Sequence, residues 1–263
     1  MNIAKSLIIR CFLLIVSLMC YIMPAFAQKS DTLNLMTYNI RFGELASMES
    51  IAAYIISEKS DIVALQECDW NTHRGNASHQ NGVEFINELA FHTGMFGIYG
   101  KAINFSGGYY GIGLLSRYPI VSHQRVLLPN DGKTEQRVML VADIELPSGE
   151  IITFVNTHLE VKSSELRIEQ IRFINEYLKD SSDILFLAGD MNASPDSEEI
   201  GFLNQDWQCL TDMENTFPAS SPRTKLDYIY VRKGNEVETV FTDARENVAL
   251  SDHLPVVSAV VLR

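Results

Sequence analysis

A series of short apolar runs, each closed by a polar side chain, constrains this chain more than any other feature. Apolar runs of about four to eight residues are typical of buried strands. Glu67 follows the apolar segment 62–65, His158 follows the segment 153–155, and Asp190 follows the segment 185–188. Because burying such groups without partners is costly, we expect them to contact one another or a cation.

The rest of the chain alternates strand-like and helix-like patterns, and no linker interrupts it. Two apolar segments flank Pro-Ser-Gly-Glu at 147–150, which predicts a hairpin. Glycine-rich turns bracket 110–116. This organisation predicts one α/β domain with mixed sheets. We predict helices over 48–58, 83–92, 163–178 and 197–204, and strands over 33–40, 61–67, 137–146, 151–157, 184–188, 226–231, 238–241 and 256–262.

Amides, carboxylates and imidazoles lie at the ends of six of these strands. Any one of them has an ordinary structural explanation: Asn39 or Glu67 as a cap, His158 as a satisfied core histidine, and 190–192 as an Asx turn. Six such strand ends in one chain favour a shared site instead. Its carboxylates and amides suit Mg²⁺ or Mn²⁺, whereas zinc would favour more histidines or thiolates.

The combination of strand-end motifs resembles the endonuclease/exonuclease/phosphatase superfamily, the DNase I-like metal-dependent phosphoesterases, and its small exported bacterial members. The motifs occur in the family's order over essentially the whole chain from residue 28 onward. The resemblance implies an α/β (α+β) fold, a four-layer α/β/β/α sandwich with two mixed, mainly antiparallel sheets. The matching segments are 37–40 (TYNI), 65–67 (LQE), 156–159 (NTHL), 189–192 (GDMN), 226–229 (LDYI) and 251–255 (SDHLP).

The resemblance also implies a metal centre that holds one or two Mg²⁺ or Mn²⁺ ions. Glu67 matches the principal metal carboxylate, and Asn39 and Asp252 match groups near the same ion. A cation at that position offsets the negative charge that develops on the phosphate oxygens during hydrolysis.

Five further positions match the family's catalytic groups. Asp190 matches the residue that orients or deprotonates the attacking water, and Asn192 matches a residue beside the phosphate. His253 matches the histidine that contacts a phosphoryl oxygen, with Asp227 directed toward its other nitrogen. His158 matches the second active-site histidine, a transition-state hydrogen-bond donor or leaving-group acid.

Three residues are candidates for substrate binding on weaker grounds. Arg74, Tyr110 and Arg137 lie in stretches that resemble those of small exported bacterial members, and each could reach a phosphate. Ion-paired surface roles for the two arginines are an equal alternative. The stretches are 69–74, 107–117 and 135–137.

The distribution of charge bears on the substrate. The net charge is −12, and binding of nucleic acid requires clustered Lys and Arg. The loop 71–81 holds one arginine, Arg74, and the loop 104–110 has no basic residue. The sequence has no basic amphipathic segment and no long apolar hairpin of the kind that predicts membrane insertion. We therefore expect a monomer that hydrolyses a small phosphodiester or phosphomonoester, with a nuclease or a catalytically silent binding module as alternatives.

Residues 1–27 have the composition of a signal peptide. Two basic residues precede an apolar run over 11–23, and an Ala-Phe-Ala site ends at residue 27. An uncleaved anchor is the alternative, although the run is short for a membrane span. We expect a catalytic domain over 28–263 in a periplasmic or secreted bacterial protein.

Cys68 and Cys209 are the two cysteines that follow this leader. An exported protein permits a disulfide. Because each cysteine lies beside apolar residues, we expect two buried free thiols instead. Two isolated cysteines do not predict a zinc site.

We predict that the exported protein begins near Gln28, because the A-x-A site directly precedes that residue. Intact-mass measurement or N-terminal sequencing of the exported protein checks this. Retention of residues 1–27 in a membrane fraction would show an uncleaved anchor instead.

Overall fold

Two six-stranded β-sheets face each other in the computed structural model, which describes residues 32–181, 183–245 and 249–263. The predicted signal peptide, residues 1–27, lies outside the described residues and stays a prediction. Within those described ranges, no helix has the length and apolar character needed to cross a membrane.

Each sheet combines early and late segments of the chain. The first sheet contains β1 (Thr32–Asn39), β2 (Ile62–Trp70), β3 (Phe96–Phe105), β4 (Gly108–Ser116), β11 (Val237–Ala244) and β12 (Val256–Leu262). The second contains β5 (Ile120–Leu127), β6 (Val138–Glu145), β7 (Ile151–His158), β8 (Ile184–Asp190), β9 (Trp207–Cys209) and β10 (Asp227–Arg232). The helices are α1 (Met48–Ser57), α2 (Phe85–Thr93), α3 (Ser164–Leu178) and α4 (Glu198–Asp206), with 3₁₀ turns at Arg41–Gly43 and Gly75–Gln80.

A parallel pair of strands lies in the middle of each sheet. The strand orders are β11-β12-β1-β2-β4-β3 and β5-β6-β7-β8-β10-β9. β1 is parallel to β2 and β7 is parallel to β8, whereas the other described neighbours are antiparallel. Because parallel neighbours end at the same edge of a sheet, the polar residues that close β1, β7 and β8 are brought to common edges. Glu67 does not end β2, which continues to Trp70, but it directly follows the last residue of β2 that pairs with β1.

Helices cover the outer faces of both sheets and complete four layers. Leu35 and Phe186 belong to the core between the sheets. Ile51 of α1 and Ile86 of α2 pack on the first sheet, and Ile174 of α3 packs on the second. These layers confirm the predicted α/β/β/α sandwich with two mixed sheets.

The strand predictions leave out the edge strands β3, β5 and β9, and they assign no strand to the segment of β4. The residues of β3 and β5 are mostly exposed or half-buried, so these strands lack the apolar runs and alternation that predict a strand. β9 has only three residues. The expectation that Cys209 is buried is also wrong. Cys68 is buried and Cys209 is only partly buried, and both are free thiols. Cys209 lies in the short edge strand β9, which leaves its side chain incompletely covered.

A buried hydrogen-bond bridge joins the two sheets just behind the polar edge. Asn156 of β7 donates from Nδ2 to the carbonyl oxygens of Leu65 at 2.9 Å and Gly113 at 2.7 Å, both in the first sheet. Its Oδ1 accepts from Gln66 Nε2 at 2.8 Å. Asn156 and Gln66 are fully buried, so these bonds satisfy groups that would be costly to leave without partners.

We predict that Asn156→Ala lowers the free energy of unfolding by about 2–4 kcal/mol, because two carbonyl groups and the Gln66 amide lose a buried partner. Urea unfolding followed by circular dichroism measures this change. Asn87→Ala is the control, since Asn87 is exposed on α2 and bonds to Glu84, and its effect should stay within about 0.5 kcal/mol. Equal stability of the two variants would contradict the prediction.

Candidate active site

Four polar side chains meet where the central parallel strands end. Asn39 is the last residue of β1, and Glu67 lies near the end of its neighbour β2. In the second sheet, His158 ends β7 and pairs in register with Asp190, which ends β8. The fold thereby joins residues that are as many as 151 positions apart in the sequence.

The side-chain amide of Asn39 links the two sheets at this edge. Its Nδ2 donates to Glu67 Oε1 and to Asp190 Oδ2, both at 3.1 Å. Its Oδ1 accepts from the backbone N–H of Arg41 at 3.0 Å. One amide therefore holds a carboxylate from each sheet, and its own orientation is fixed by the turn that follows β1.

His253 lies between two buried carboxylates. Its Nδ1 is 2.9 Å from Asp227 Oδ2, and its Nε2 is 3.8 Å from Asp190 Oδ2. Burial alone would lower the pKa of His253, but the charges of Asp227 and Asp190 outweigh it and raise that pKa well above its ordinary value. His253 is therefore held as an imidazolium, which donates from both nitrogens. Thr216 Oγ1 donates to Asp227 Oδ2 at 2.5 Å and fixes that carboxylate.

His158 is neutral, in contrast to His253. Its side chain is buried, and its Nε2 is 3.6 Å from Asp190 Oδ2. Burial lowers the pKa of His158 far below its ordinary value, and the positive charges of Arg137 and His253 lower it further. A charged and a neutral imidazole therefore lie near the same carboxylate.

Asp252 is held by an arginine that the sequence pattern did not indicate. Arg41 Nη1 donates to Asp252 Oδ2 at 2.7 Å, and its Nε is 2.5 Å from Glu44 Oε2. Ser251 Oγ donates to the backbone carbonyl of Asn39 at 2.7 Å and ties this turn to the end of β1. The position of Arg41, two residues after a predicted site residue, is the signal that could have indicated it.

Asn192 lies in the turn that follows Asp190. Its backbone N–H donates to Asp190 Oδ1 at 2.9 Å, and its Nδ2 donates to the carbonyl oxygen of Leu159 at 3.0 Å. Its φ of 49° is in the left-handed region, which Asn adopts more readily than most residues. The turn therefore fixes the second oxygen of Asp190.

The three candidates for substrate binding lie beside this cluster. Burial is the main cause that raises the pKa of Tyr110, and the charges of Arg137 and Arg74 lower it, so both arginines act on one phenol. Arg137 Nη1 is 3.0 Å from Glu135 Oε1, and Arg74 Nε is 2.6 Å from Asp69 Oδ2. Both arginines are ion-paired, but they are mostly buried and not surface residues.

Excess negative charge makes this edge suitable for a divalent cation. Burial raises the pKa of Glu67, and the charge of Asp252 raises it further. Burial, and then the charge of Asp227, likewise raise the pKa of Asp190. A cation beside these carboxylates would relieve both the burial cost and the repulsion.

Two arrangements of residues could hold that cation. Asp190, Asp227 and His253 bring ligand-type atoms within 4.8 Å of one another. In this set, however, Asp227 Oδ2 is already bonded to His253 Nδ1 at 2.9 Å and to Thr216 Oγ1 at 2.5 Å. The oxygens around Glu67 and Asn39 fit a hard cation better.

The sequence pattern of the endonuclease/exonuclease/phosphatase family matches residues 36–253, which include each of these strand ends. The chain belongs to this family. The family includes endonucleases, exonucleases and phosphatases, which act on phosphate esters.

The chain is also similar to individual proteins in sequence and in structure. The uncharacterized protein YbhP of Escherichia coli strain K12 is 26% identical over 165 residues, which span 60% of this chain and 65% of that relative. A family structure from Beutenbergia cavernae has a TM-score of 0.75 at 22% identity and covers 88% of this chain and 72% of its own. A mannosyl-6-phosphatase from Bacteroides thetaiotaomicron has a TM-score of 0.66 at 18% identity, with coverage of 88% and 100%. At these identities, the two structures show the fold alone.

We predict that Glu67→Gln weakens Mn²⁺ binding at least about tenfold, because the variant removes a charged ligand from the proposed centre. Titration of free Mn²⁺ by electron paramagnetic resonance measures this affinity. Glu88→Gln is the matched control, since Glu88 is exposed on α2 beside His92. Unchanged Mn²⁺ affinity in folded Glu67→Gln would remove Glu67 from the metal site.

Proposed function

We propose that this protein is an exported, Mg²⁺- or Mn²⁺-dependent phosphoesterase that hydrolyses a small phosphodiester or phosphomonoester by attack of water. The observation that carries the proposal is the convergence of Asn39, Glu67, Asp190, His158 and His253 at one edge of the sandwich. This edge combines carboxylates that accept protons with imidazoles that donate hydrogen bonds, as phosphoester hydrolysis requires. Family membership supports the reaction class.

Glu67 would hold the divalent cation, with Asn39 and Asp252 beside it. When bound, the cation supplies positive charge to the phosphate oxygens, on which negative charge develops during the reaction. Arg41 holds Asp252 in place at 2.7 Å. Loss of this contact would free the carboxylate to turn away from the site.

Asp190 is the group placed to orient the attacking water and to accept its proton. Both of its oxygens are engaged, Oδ2 by the Asn39 amide and Oδ1 by the backbone N–H of Asn192. These contacts fix the direction of the remaining lone pairs. A preoriented acceptor does not have to reorganise as the proton moves.

The two histidines would act on the phosphate as different kinds of donor. His253 is charged and is fixed by Asp227, so its Nε2–H suits a phosphoryl oxygen. His158 is neutral because of burial and neighbouring positive charge. Of the two roles that its motif implies, this state favours hydrogen-bond donation over proton donation to the leaving group.

A nuclease is the second candidate, because the family includes endonucleases and exonucleases. The net charge of −12 opposes it. Arg74, the one arginine in the loop 71–81, also has its charge matched by Asp69. A catalytically silent binding module would not need the complete set of acceptors and donors at this edge.

We predict that His253→Ala and His158→Ala each lower kcat on bis(4-nitrophenyl) phosphate by ~10²–10³, because each removes a positioned donor. Steady-state kinetics with Mg²⁺ or Mn²⁺ measure the loss, and thermal unfolding shows whether each variant is folded. His123→Ala on the exposed strand β5 is the control and should keep wild-type activity. Folded and fully active His158 and His253 variants would overturn the assigned roles.

We also predict that EDTA abolishes hydrolysis and that added Mg²⁺ or Mn²⁺ restores it. A panel of nucleotides, sugar phosphates, phospholipids and plasmid DNA then ranks the substrate classes. Full activity in EDTA would exclude the metal role of Glu67. A preference for plasmid DNA would establish the nuclease instead of the small-substrate enzyme.

A further inference from the structure

An arginine near the proposed catalytic edge is fixed by a second carboxylate. Arg74 donates from Nε and Nη2 to the two oxygens of Asp69 at 2.6 and 2.9 Å. Thr72 Oγ1 donates to the same carboxylate at 2.5 Å. The Asp69 side chain is 1% exposed, so this bidentate pair holds the guanidinium in one orientation.

Aromatic rings surround that guanidinium. Arg74 Cζ lies 4.1 Å from the ring centre of Phe42, 4.2 Å from that of Phe105, and 5.2 Å from that of Tyr110. Among the described residues, no acceptor bonds to Nη1, while Nε and Nη2 are used by Asp69. The two hydrogens of Nη1 and the second hydrogen of Nη2 are therefore left for a ligand.

The guanidinium borders the proposed phosphoester site. Phe42 lies three residues after Asn39, in the 3₁₀ turn that follows β1. Tyr110 of β4 pairs in register with Asp69, which lies two residues after Glu67 in β2. The ring centre of Tyr110 is 5.2 Å from Arg74 Cζ, so this phenol lies between the guanidinium and the strand that carries Glu67.

The groups around Arg74 favour an uncharged ligand with several oxygens. Asp69 cancels the charge of Arg74, so the pair offers N–H donors without net charge. The acidic chain, with a net charge of −12, gives little attraction for a second anionic group. Phe105 is 38% exposed and presents an apolar surface beside the donors. A sugar ring offers hydroxyl oxygens at its rim and C–H groups on its faces.

We propose that Arg74 and Phe105 form a leaving-group subsite that binds the sugar ring of a sugar phosphate. Arg74 donates from Nη1 to the ring hydroxyl oxygens, and Phe105 packs against the C–H groups. The inference rests on the proposed phosphoesterase function and narrows its substrate to phosphate esters of sugars.

The test compares kcat/KM for a hexose 6-phosphate with kcat/KM for phenyl phosphate, whose leaving group has no additional hydroxyls. Arg74→Met combined with Asp69→Asn removes the donors without leaving a buried carboxylate unpaired, and Phe105→Ala removes the apolar surface. Each should lower the ratio of the two kcat/KM values about tenfold. The control is Arg117→Met combined with Asp61→Asn, which removes an ion pair between the residue after β4 and the residue before β2, and it should leave the ratio unchanged.

Three results would overturn the inference. They differ in whether the proposed phosphoesterase function survives. An unchanged ratio in folded Phe105→Ala and in the folded double variant removes the subsite but leaves the phosphoesterase. An Arg74-dependent preference for a hexose bisphosphate over the monophosphate shows an anion subsite instead. If the wild-type protein hydrolyses neither monoesters nor diesters with metal present, the proposed function fails and this inference fails with it.

Discussion

Polar groups buried between the ends of two sheets must satisfy one another, and the Asn39 amide does this where the central strands end. It donates to Glu67 in the first sheet and to Asp190 in the second. The bridge between Asn156 and Gln66 joins the sheets in the same way, deeper in the sandwich. Because each unpaired buried group would cost about 1–3 kcal/mol, these contacts fix how the two sheets meet and where the proposed site lies.

The strand topology explains why the site lies at this edge. Each sheet has one central parallel pair, β1 with β2 and β7 with β8. The carboxyl ends of these strands deliver an amide, two carboxylates and an imidazole from segments far apart in the chain. Asp227 of β10, in the second sheet, and His253, in the turn that leads into β12 of the first sheet, then join the site, with 2.9 Å between Asp227 Oδ2 and His253 Nδ1.

The backbone near this edge is strained. Left-handed conformations of non-glycine residues cost ~1–2 kcal/mol each, and they persist where surrounding contacts hold them. Two consecutive residues, Arg41 and Phe42, adopt φ values of 44° and 43°. Arg41 thereby bonds to Asp252 through its guanidinium, and Phe42 packs its ring against the guanidinium of Arg74. Glu67, with φ of 58°, is bent in the same way next to the irregular pairing of β2 with β4.

The sequence by itself determined the strands that are buried, the helices that are amphipathic and the polar residues that close the strands. These features depend on periodicity and on local chemistry, so a single chain displays them. They predicted one α/β domain with mixed sheets, and they named the residues that the structure places at one edge. The four-layer sandwich, which the structure confirms, was implied by the resemblance of the strand-end motifs to the family. The exposed edge strands β3 and β5 gave no such signal, because their neighbours within the sheets define them more than their composition does.

Only the tertiary structure decided which polar groups contact each other and in what charge state. Two histidines with the same ordinary pKa have pKa values shifted in opposite directions. The pKa of His253 is raised because it lies between carboxylates, and that of His158 is lowered because it is buried near positive charge. The partners of Arg41 and Arg74 likewise depend on turns whose conformation no residue pattern prescribes. Distances across the sheets set these electrostatic interactions, and such distances exist only once the two sheets have packed.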